Sequence, residues 1–335
     1  MRRTPIILRA FSIALLAIAI GAFGASTGWR GRTFPGFFLM PNRVVASAGL
    51  PDWNGAADGR AVYQHVLLSV DGVPVADALE AYDRASRHAL GDPVHYVFAH
   101  DGHVERRVFP LRLFTDRDFF ATFGMYFLTG LAFLVLAALT AVRWRLGEPY
   151  RGLAAFAATS ALYLFTALDL YSPGHLFRIH VIAEACLPAA AMHFALGCAP
   201  ARTRTRGDLL PLIYGIGVVL TAAYEVLLYE PSAYTAVHDL CQALAGLPVF
   251  LLVGMLVFAT PHPALGTRGA RQLVAATLVG LVLPATILAL SGVTGGRVPV
   301  NAAAWFGILF PLGCVRAFRL IRVPWRVDRP VPAAS

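Results

Sequence analysis

Long apolar segments separated by short polar turns occupy most of the chain after residue 118. Each has close to the ~20 apolar residues that an α-helix needs to cross the hydrocarbon core of a bilayer. Seven such segments follow one another, and an eighth opens the chain. The predicted spans are residues 6–25, 119–142, 153–171, 179–198, 209–229, 237–260, 273–291 and 302–320. This pattern predicts a mainly α membrane protein with eight transmembrane helices, one before a polar insert and seven after it.

The polar insert, residues 26–117, alternates apolar and polar positions in its second half with the period of two that is typical of strands. The predicted strands are residues 66–70, 94–99 and 104–111. The pairs Asp71-Gly72 and Asp101-Gly102 are typical of the tight turns that join antiparallel strands. A further short strand is predicted at 44–47, and the stretch from Pro51 to Gly59 is irregular.

A helix is predicted between the first two of these strands. Asp77, with Glu80 three residues later, resembles a capping box and marks the start of the helix. The apolar side of this helix is predicted to carry Leu79, Tyr82 and Ala89, and the helix to reach about Leu90. The insert is therefore predicted to be a small α+β domain.

The run VLLSVDGVPVADALEAYDRASRHALGDPVHYVFAHDGHVERRVFPL, residues 66–111, resembles the second half of a bacterial PDZ domain. The resemblance rests on the two Asp-Gly turns, the helix between them and the Gly91-Asp92 break. It implies that an extended peptide adds as a strand beside the helix, with its terminal carboxylate held by backbone N–H groups. The candidate for that loop is Gly36-Phe37-Phe38-Leu39.

Charge is scarce and unevenly placed along the chain. Residues are 57% hydrophobic and 14% charged, against about 25% charged in soluble domains. All 28 basic residues are arginine, which indicates a GC-rich bacterial genome. Because the chain has no lysine, it cannot form the Schiff base of a retinal pigment. The four cysteines, Cys186, Cys198, Cys241 and Cys314, all lie in apolar segments, so no disulfide framework supports the insert.

The arginines predict the orientation of the spans. Those in alternate loops and at the C-terminus are 143, 145, 151, 202, 204, 206, 268, 271, 316, 319, 322, 326 and 329. Short loops rich in Arg stay in the cytoplasm, so both termini are predicted to be cytoplasmic and the insert periplasmic in a bacterial inner membrane. This placement of the net charge of +9 argues against a nucleic-acid-binding face. The predicted divisions are a signal anchor (1–25), the PDZ-like domain (26–117), a seven-helix bundle (118–320) and a cytoplasmic tail (321–335). A cleaved signal peptide is the alternative for the first segment.

An anchor, an exported PDZ-like insert and seven helices together resemble the input half of bacterial sensor histidine kinases, including the competence quorum-sensing kinases of bacilli. That resemblance implies a sensory role. No phosphorylatable histidine motif or ATP-binding glycine box occurs in the sequence. Kinase activity is therefore not expected, and a truncated relic of a sensor kinase is a further reading.

Ionisable and amide side chains near the predicted outer ends of the spans are the candidate ligand site, because such groups are costly inside a bilayer. These residues are Asp169, His180, Glu184, Glu225, His238, Asp239 and Gln242. Local pairing at the headgroup level is the alternative interpretation. No catalytic motif, cofactor motif or metal site is predicted: no His-Glu-x-x-His and no convincing Gly-x-Ser nucleophile occur on a span.

The predicted function is a receptor-like sensory input module in the inner membrane that signals through a separate cytoplasmic protein. Its expected partners are the lipid bilayer, that cytoplasmic protein, and a periplasmic protein or peptide at the insert. Two other functions stay open: a membrane-anchored scaffold that docks an envelope protein, and a proton-coupled transporter.

Overall fold

A computed structural model describes residues 4–59, 61–143, 147–199, 206–258, 265–294 and 297–320; the predicted tail, 321–335, lies outside them. The first helix, α1 (Thr4–Ser26), is apolar almost throughout. It packs on later helices through Leu15, Ala19 and Ala22, which are buried, while Ile13 and Ile20 on its other face are exposed. One buried face and one exposed apolar face are what a helix at the edge of a membrane bundle requires.

Among its described residues, the insert contains six short strands, one α-helix and two short 3₁₀ helices. The strands and the α-helix are β1 (Thr33–Phe34), β2 (Val66–Val70), β3 (Val73–Pro74), α2 (Ala78–Ala85), β4 (Pro93–His100), β5 (His103–Pro110) and β6 (Arg112–Leu113). Four strands form an antiparallel sheet in the order β3-β2-β4-β5, and β1 pairs with β6 beside the point where the insert leaves the bundle. The strand predicted at 44–47 is reduced to two isolated bridges, Leu39 with Val45 and Val44 with Val66.

The local features predicted for the second half of the insert are present. The three predicted strands are β2, β4 and β5, with ends shifted by at most one residue. Asp71 and Gly72 have φ of 49° and 78°, and Asp101 and Gly102 have 48° and 77°. Positive φ at both central positions is the tight-turn geometry whose twist matches two antiparallel strands. The Asp77 carboxylate accepts a hydrogen bond from the Glu80 N–H at 2.8 Å, as an N-cap should.

The predicted length of α2 was wrong, and so were two of the three residues predicted for its apolar side, Leu79 and Ala89; the third, Tyr82, packs against the buried clusters. The helix ends at Ala85, and it buries Ala78, Ala81 and Ala85 rather than Leu79. Leu79 is 50% exposed. Three alanines on one side let the helix lie close against the sheet, and that close packing outweighs the larger transfer free energy of a single leucine.

The helices after the insert form a bundle. They are α3 (Asp116–Phe119), a π-helical turn (Phe120–Gly124), α4 (Met125–Ala141), α5 (Tyr150–Thr166), α6 (Phe177–Cys198), α7 (Arg206–Leu227), α8 (Pro231–Phe258), α9 (Gly266–Thr277), a second π-helical turn (Leu278–Val282), α10 (Leu283–Val293), α11 (Asn301–Gly307) and α12 (Leu309–Ala317). The first π-turn joins α3 to α4, and the second joins α9 to α10, so each pair forms one continuous helix.

Six helices in the described ranges are long and apolar enough to cross a bilayer, which indicates a multi-pass membrane protein. They cover Phe11–Trp29, Asp116–Ala141, Phe177–Cys198, Leu209–Leu227, Pro231–Phe258 and Gly266–Val293. The predicted spans 153–171 and 302–320 are not confirmed. The first is α5, whose 17 residues extend only about 25 Å before the chain turns at Ala167. The second is divided at Ile308 into helices of 7 and 9 residues.

The first half of the insert is built into the bundle. Trp29, Phe34, Phe38 and Trp53 belong to the same buried apolar cluster as residues of α4, α5 and α6. The Phe38 ring stacks on the Tyr171 ring with centroids 4.4 Å apart and planes 2° apart. The sheet has a separate small core around α2. The insert therefore has one core of its own and shares the other with the helices.

Buried or half-buried hydrogen bonds fix the insert on the ends of the helices. They run from Asn42 Nδ2 to the Leu228 carbonyl (2.9 Å), from the Gly49 N–H to Asn301 Oδ1 (3.0 Å), from Trp53 Nε1 to Asp118 Oδ1 (3.1 Å), from Gln64 Nε2 to Asp239 Oδ1 (2.8 Å) and from the Val300 N–H to the Ser47 carbonyl (2.7 Å). Contacts with α3, α8, α11 and the turn after α7 hold the insert at several points, so it covers this end of the bundle in one orientation.

Candidate functional site

A cavity of about 140 Å³ lies inside the bundle, directly beneath the insert. Met40, Ala46 and Ser47 of the insert form its roof. Its walls come from α4, α5, α6, α8, α10 and α11, and the second π-turn contributes Gly280 and Leu281. We call this space the roofed cavity. π-turns inside helices often occur at functional sites, and here one widens the helix beside the cavity.

Most of the lining is apolar or aromatic, with a few polar groups. The polar side chains are Ser47, Tyr126, Thr129, Ser160, Tyr163, Tyr171, His180, Tyr234 and His238. The Thr129 hydroxyl is satisfied, because it donates to the Ala304 carbonyl at 2.8 Å. The Ser47 hydroxyl is buried and has no hydrogen-bond partner within the part of the chain that the structure describes. An apolar cavity with a few convergent polar groups is typical of a small-molecule site.

A buried carboxylate and imidazole meet at the edge of the roofed cavity. Glu184 lies on α6 and is 4% exposed, and His238 lies on α8 and is 9% exposed. Glu184 Oε1 is 2.8 Å from His238 Nδ1, and the Tyr224 hydroxyl of α7 donates to Glu184 Oε2 at 2.9 Å. Three helices therefore converge on one carboxylate. We call Glu184, His238, Tyr224 and Gln242 the buried cluster.

Gln242 orients the imidazole of His238. It lies one turn further along α8, and its Nε2 is 2.7 Å from His238 Nε2. In this arrangement the amide donates and His238 Nε2 accepts, so the ring proton is on Nδ1, the nitrogen that lies 2.8 Å from Glu184 Oε1. Gln242 Oε1 is buried and has no hydrogen-bond partner among the described residues. A second proton on His238 would require the amide group to turn over, so the cluster can change its hydrogen bonding without moving a helix.

Local sequence places these groups. His180 and Glu184 are one helical turn apart on α6, as are His238 and Gln242 on α8, so each pair shares a face. Pro188 follows four residues after Glu184 and has no N–H to donate to the Glu184 carbonyl, which loosens α6 beside the carboxylate. His180 also lines the cavity: its Nδ1 is 3.1 Å from Thr166 Oγ1, and its ring stacks on Tyr163 with centroids 4.6 Å apart.

Of the seven predicted site residues, only His180 and His238 line the cavity. Glu184 and Gln242 lie beside it through their contacts with His238, and the other three lie elsewhere. Asp169 shapes the turn between α5 and α6, where its Oδ2 accepts from the Leu176 N–H at 2.7 Å. Burial raises the pKa of this carboxyl, although that hydrogen bond opposes the rise. Glu225 is exposed and its carboxylate is 3.7 Å from Arg178. Asp239 accepts a hydrogen bond from Gln64 of the insert. The structure brings together Glu184, His238 and Gln242, with His180 beside them.

Sequence reasoning missed Tyr224 and Ser47. Tyr224 gives no signal of its own, because tyrosine is common near the ends of spans. Ser47 was assigned to a predicted strand, and nothing in the pattern indicated that this segment covers a cavity. Among the described residues no group of three or more His, Cys, Asp or Glu side chains is arranged to hold a metal ion.

The segment considered for carboxylate capture, Gly36-Phe37-Phe38-Leu39, is closed. Phe37, Phe38 and Leu39 are at most 1% exposed, and the Leu39 N–H already donates to the Tyr82 hydroxyl at 2.6 Å. Burial of the Tyr82 ring raises the pKa of that hydroxyl, which keeps it protonated. As folded here, the segment offers no open cradle at Leu39.

Comparisons with protein-family models, with curated proteins and with solved structures returned no significant match.

Proposed function

We propose that the chain is a receptor-type input module of a bacterial inner membrane. A small, mostly apolar ligand with one or two polar groups binds in the roofed cavity, and a separate cytoplasmic protein responds to its presence. The observation that carries the proposal is that the insert and the helices line the cavity together. A ligand there would lie against Met40 or Ser47 and between helices α4, α5, α6, α8, α10 and α11, so binding would bias the packing of these helices.

The orientation of the bundle is part of the proposal. Arg143 follows α4, Arg151 begins α5, and Arg268, Arg316 and Arg319 lie at ends of α9 and α12 that are remote from the insert. Arginine concentrated at one end favours a cytoplasmic location for that end. The insert would then be periplasmic, and its sheet and α2 are consistent with a PDZ-like domain whose peptide loop has been closed. The packing of α1 on the bundle favours a retained anchor.

In-cell crosslinking followed by affinity capture from native membranes tests the receptor. The variants are Glu184→Gln and Ser47→Ala, and the matched control is Glu225→Gln, which makes the same change at an exposed carboxylate. We expect a cytoplasmic signalling protein to be captured, in an amount that changes in Glu184→Gln and Ser47→Ala and not in the control. Capture of envelope proteins alone, equal in all four proteins, would rule out the receptor and favour the anchored scaffold.

The buried cluster favours proton-coupled transport as a second candidate, because an acid and an imidazole beside a cavity can exchange a proton during a transport cycle. Proteoliposomes that contain a pH-sensitive dye test it. Solute-dependent proton uptake that is present in the wild type and lost in Glu184→Gln would support a transporter. If no solute gradient gives proton uptake and the capture experiment recovers a cytoplasmic signalling protein, the transporter is excluded in favour of the receptor.

A further inference from the structure

A second depression lies at the opposite end of the bundle from the insert, between the first turn of α9 and the last turn of α12. The continuous helix that begins with α9 has 28 residues and is about 42 Å long. Its far end, at Gly292, packs on the Asp239 backbone next to the insert. Gly269 allows α9 to approach α12 closely, since a Cβ there would be 2.9 Å from the Ala317 carbonyl.

The depression has a volume of about 370 Å³, and its walls include Arg268 and Gln272 of α9, Leu312, Val315 and Arg316 of α12, and Arg319 just beyond α12. We call it the arginine pocket. It shares no lining residue with the roofed cavity. Binding in the arginine pocket can therefore be tested independently of ligand binding in the roofed cavity.

Positive charge in the arginine pocket is not balanced within the described residues. Arg268, Arg316 and Arg319 are exposed, and none of them forms an ion pair with a described carboxylate. The first turn of α9 contains no acidic residue. The free N–H groups at the start of this 12-residue helix add further positive potential,. Three guanidinium groups converging on one depression repel each other unless an anion lies between them.

The residue types define the anion. A guanidinium group has a planar fork of donors that fits two oxygens of a phosphate, and Gln272 adds an uncharged donor. The pocket also has an apolar side, because Leu312 is 60% exposed beside it. A phosphate group attached to an apolar chain would satisfy both sides, with its oxygens on the arginines and its chain along Leu312 and Val315. Basic pockets at the cytoplasmic ends of transmembrane helices commonly hold phospholipid headgroups.

We propose that the arginine pocket binds a phosphate-bearing anion through Arg268, Arg316 and Arg319. The phosphate is supplied either by the headgroup of an anionic phospholipid or by free phosphate. The two sources share the same contacts with the guanidinium groups and differ only in the contact with Leu312 and Val315.

Binding to the intact protein in a non-ionic detergent, followed by native mass spectrometry and by thermal unfolding, tests this site. The probes are phosphatidylglycerol, the zwitterionic phosphatidylcholine, and inorganic phosphate. We expect phosphatidylglycerol to bind more tightly than phosphatidylcholine. Arg268→Gln and Arg316→Gln should each weaken that binding about tenfold, the loss typical of one charge-assisted hydrogen bond.

Arg271→Gln is the matched control. Arg271 is exposed on the same helix and carries the same charge, but it does not line the pocket. Arg316→Lys keeps the charge without the fork and should weaken binding less than Arg316→Gln. If inorganic phosphate binds with the same dependence on these variants and phosphatidylglycerol does not, the source is free phosphate. Two outcomes would overturn the proposal. One is that Arg271→Gln and Arg268→Gln weaken phosphatidylglycerol binding equally; the other is that the two lipids bind equally well and inorganic phosphate does not bind.

Discussion

At the residue scale, the most informative contact is the one between Glu184 and His238. It joins α6 to α8 across 2.8 Å at the edge of the roofed cavity. Burying such a pair costs free energy of desolvation, and breaking one partner leaves the other without compensation. The presence of this pair is therefore weak evidence that it stabilises the fold. It is better evidence that Glu184 and His238 have a functional role.

A double-mutant cycle measures their coupling. With Glu184→Gln, His238→Gln and the double variant, we expect a coupling free energy of about 1 kcal/mol or more in detergent unfolding, because contacting residues are not additive. Glu225→Gln combined with His238→Gln should give a coupling near zero, since Glu225 contacts Arg178 instead. Near-zero coupling in the first cycle would show that the two side chains do not interact.

His65 predicts a pH dependence that belongs to the insert. The side chain is buried beside His100, with stacked ring centroids 4.2 Å apart. Burial lowers the pKa of His65 below its ordinary value of about 6.5. The unfolded chain then binds the proton more readily than the folded one, so stability is complete above about pH 6.5 and falls as the pH drops below it.

Thermal unfolding between neutral and mildly acidic pH checks this expectation. His65→Gln should lose less stability on acidification than the wild type does. His95→Gln, at an exposed histidine on β4, should follow the wild-type curve. Parallel curves of stability against pH for His65→Gln and wild type would contradict the assignment of the pH dependence to His65.

At the element scale, close helix crossings decide the shape of the roofed cavity. A Cβ on Gly280 would lie 2.3 Å from the Phe310 backbone nitrogen, so α12 passes directly over the second π-turn. Gly280→Ala should destabilise the protein by about 1–3 kcal/mol, because backbone has to move. Gly254→Ala, on α8 with nothing within 4 Å, should be neutral or slightly stabilising. Similar melting temperatures for the two variants would contradict this packing.

The sequence predicted the elements of the insert better than those of the bundle. Its strands end at Asp-Gly pairs and its helix begins at Asp77, and such local signals act over three or four residues. In the bundle, the apolar run 302–320 predicts one span although it contains Pro311, which has no N–H to donate to the Gly307 carbonyl beside the break at Ile308,. The close crossing of α12 over Gly280 lies at the same place.

At the scale of the whole molecule, the shared core couples the insert to the bundle. Phe38 is fully buried between Trp53, Phe123 and Tyr171. Phe38→Ala should cost about 3–5 kcal/mol and expose the linkers around the insert to limited proteolysis. Val104→Ala, at a position that is 65% exposed, should change neither stability nor cleavage measurably. Release of an intact insert from the wild type at the same protease concentration would show that the shared core does not hold the insert on the bundle.

The sequence by itself determined the apolar segments, the strands and turns of the insert, and the ionisable residues that a membrane helix has to accommodate. These depend on composition and on periodicities of two and 3.6 residues, which are readable over a short window. Only the tertiary structure decided that Glu184 faces His238 while Asp169 and Glu225 face elsewhere. It also decided that Ser47 covers a cavity and that three arginines share one depression. Those outcomes depend on how helices rotate and cross, and rotation is set by contacts between residues as far apart as Gly49 and Asn301.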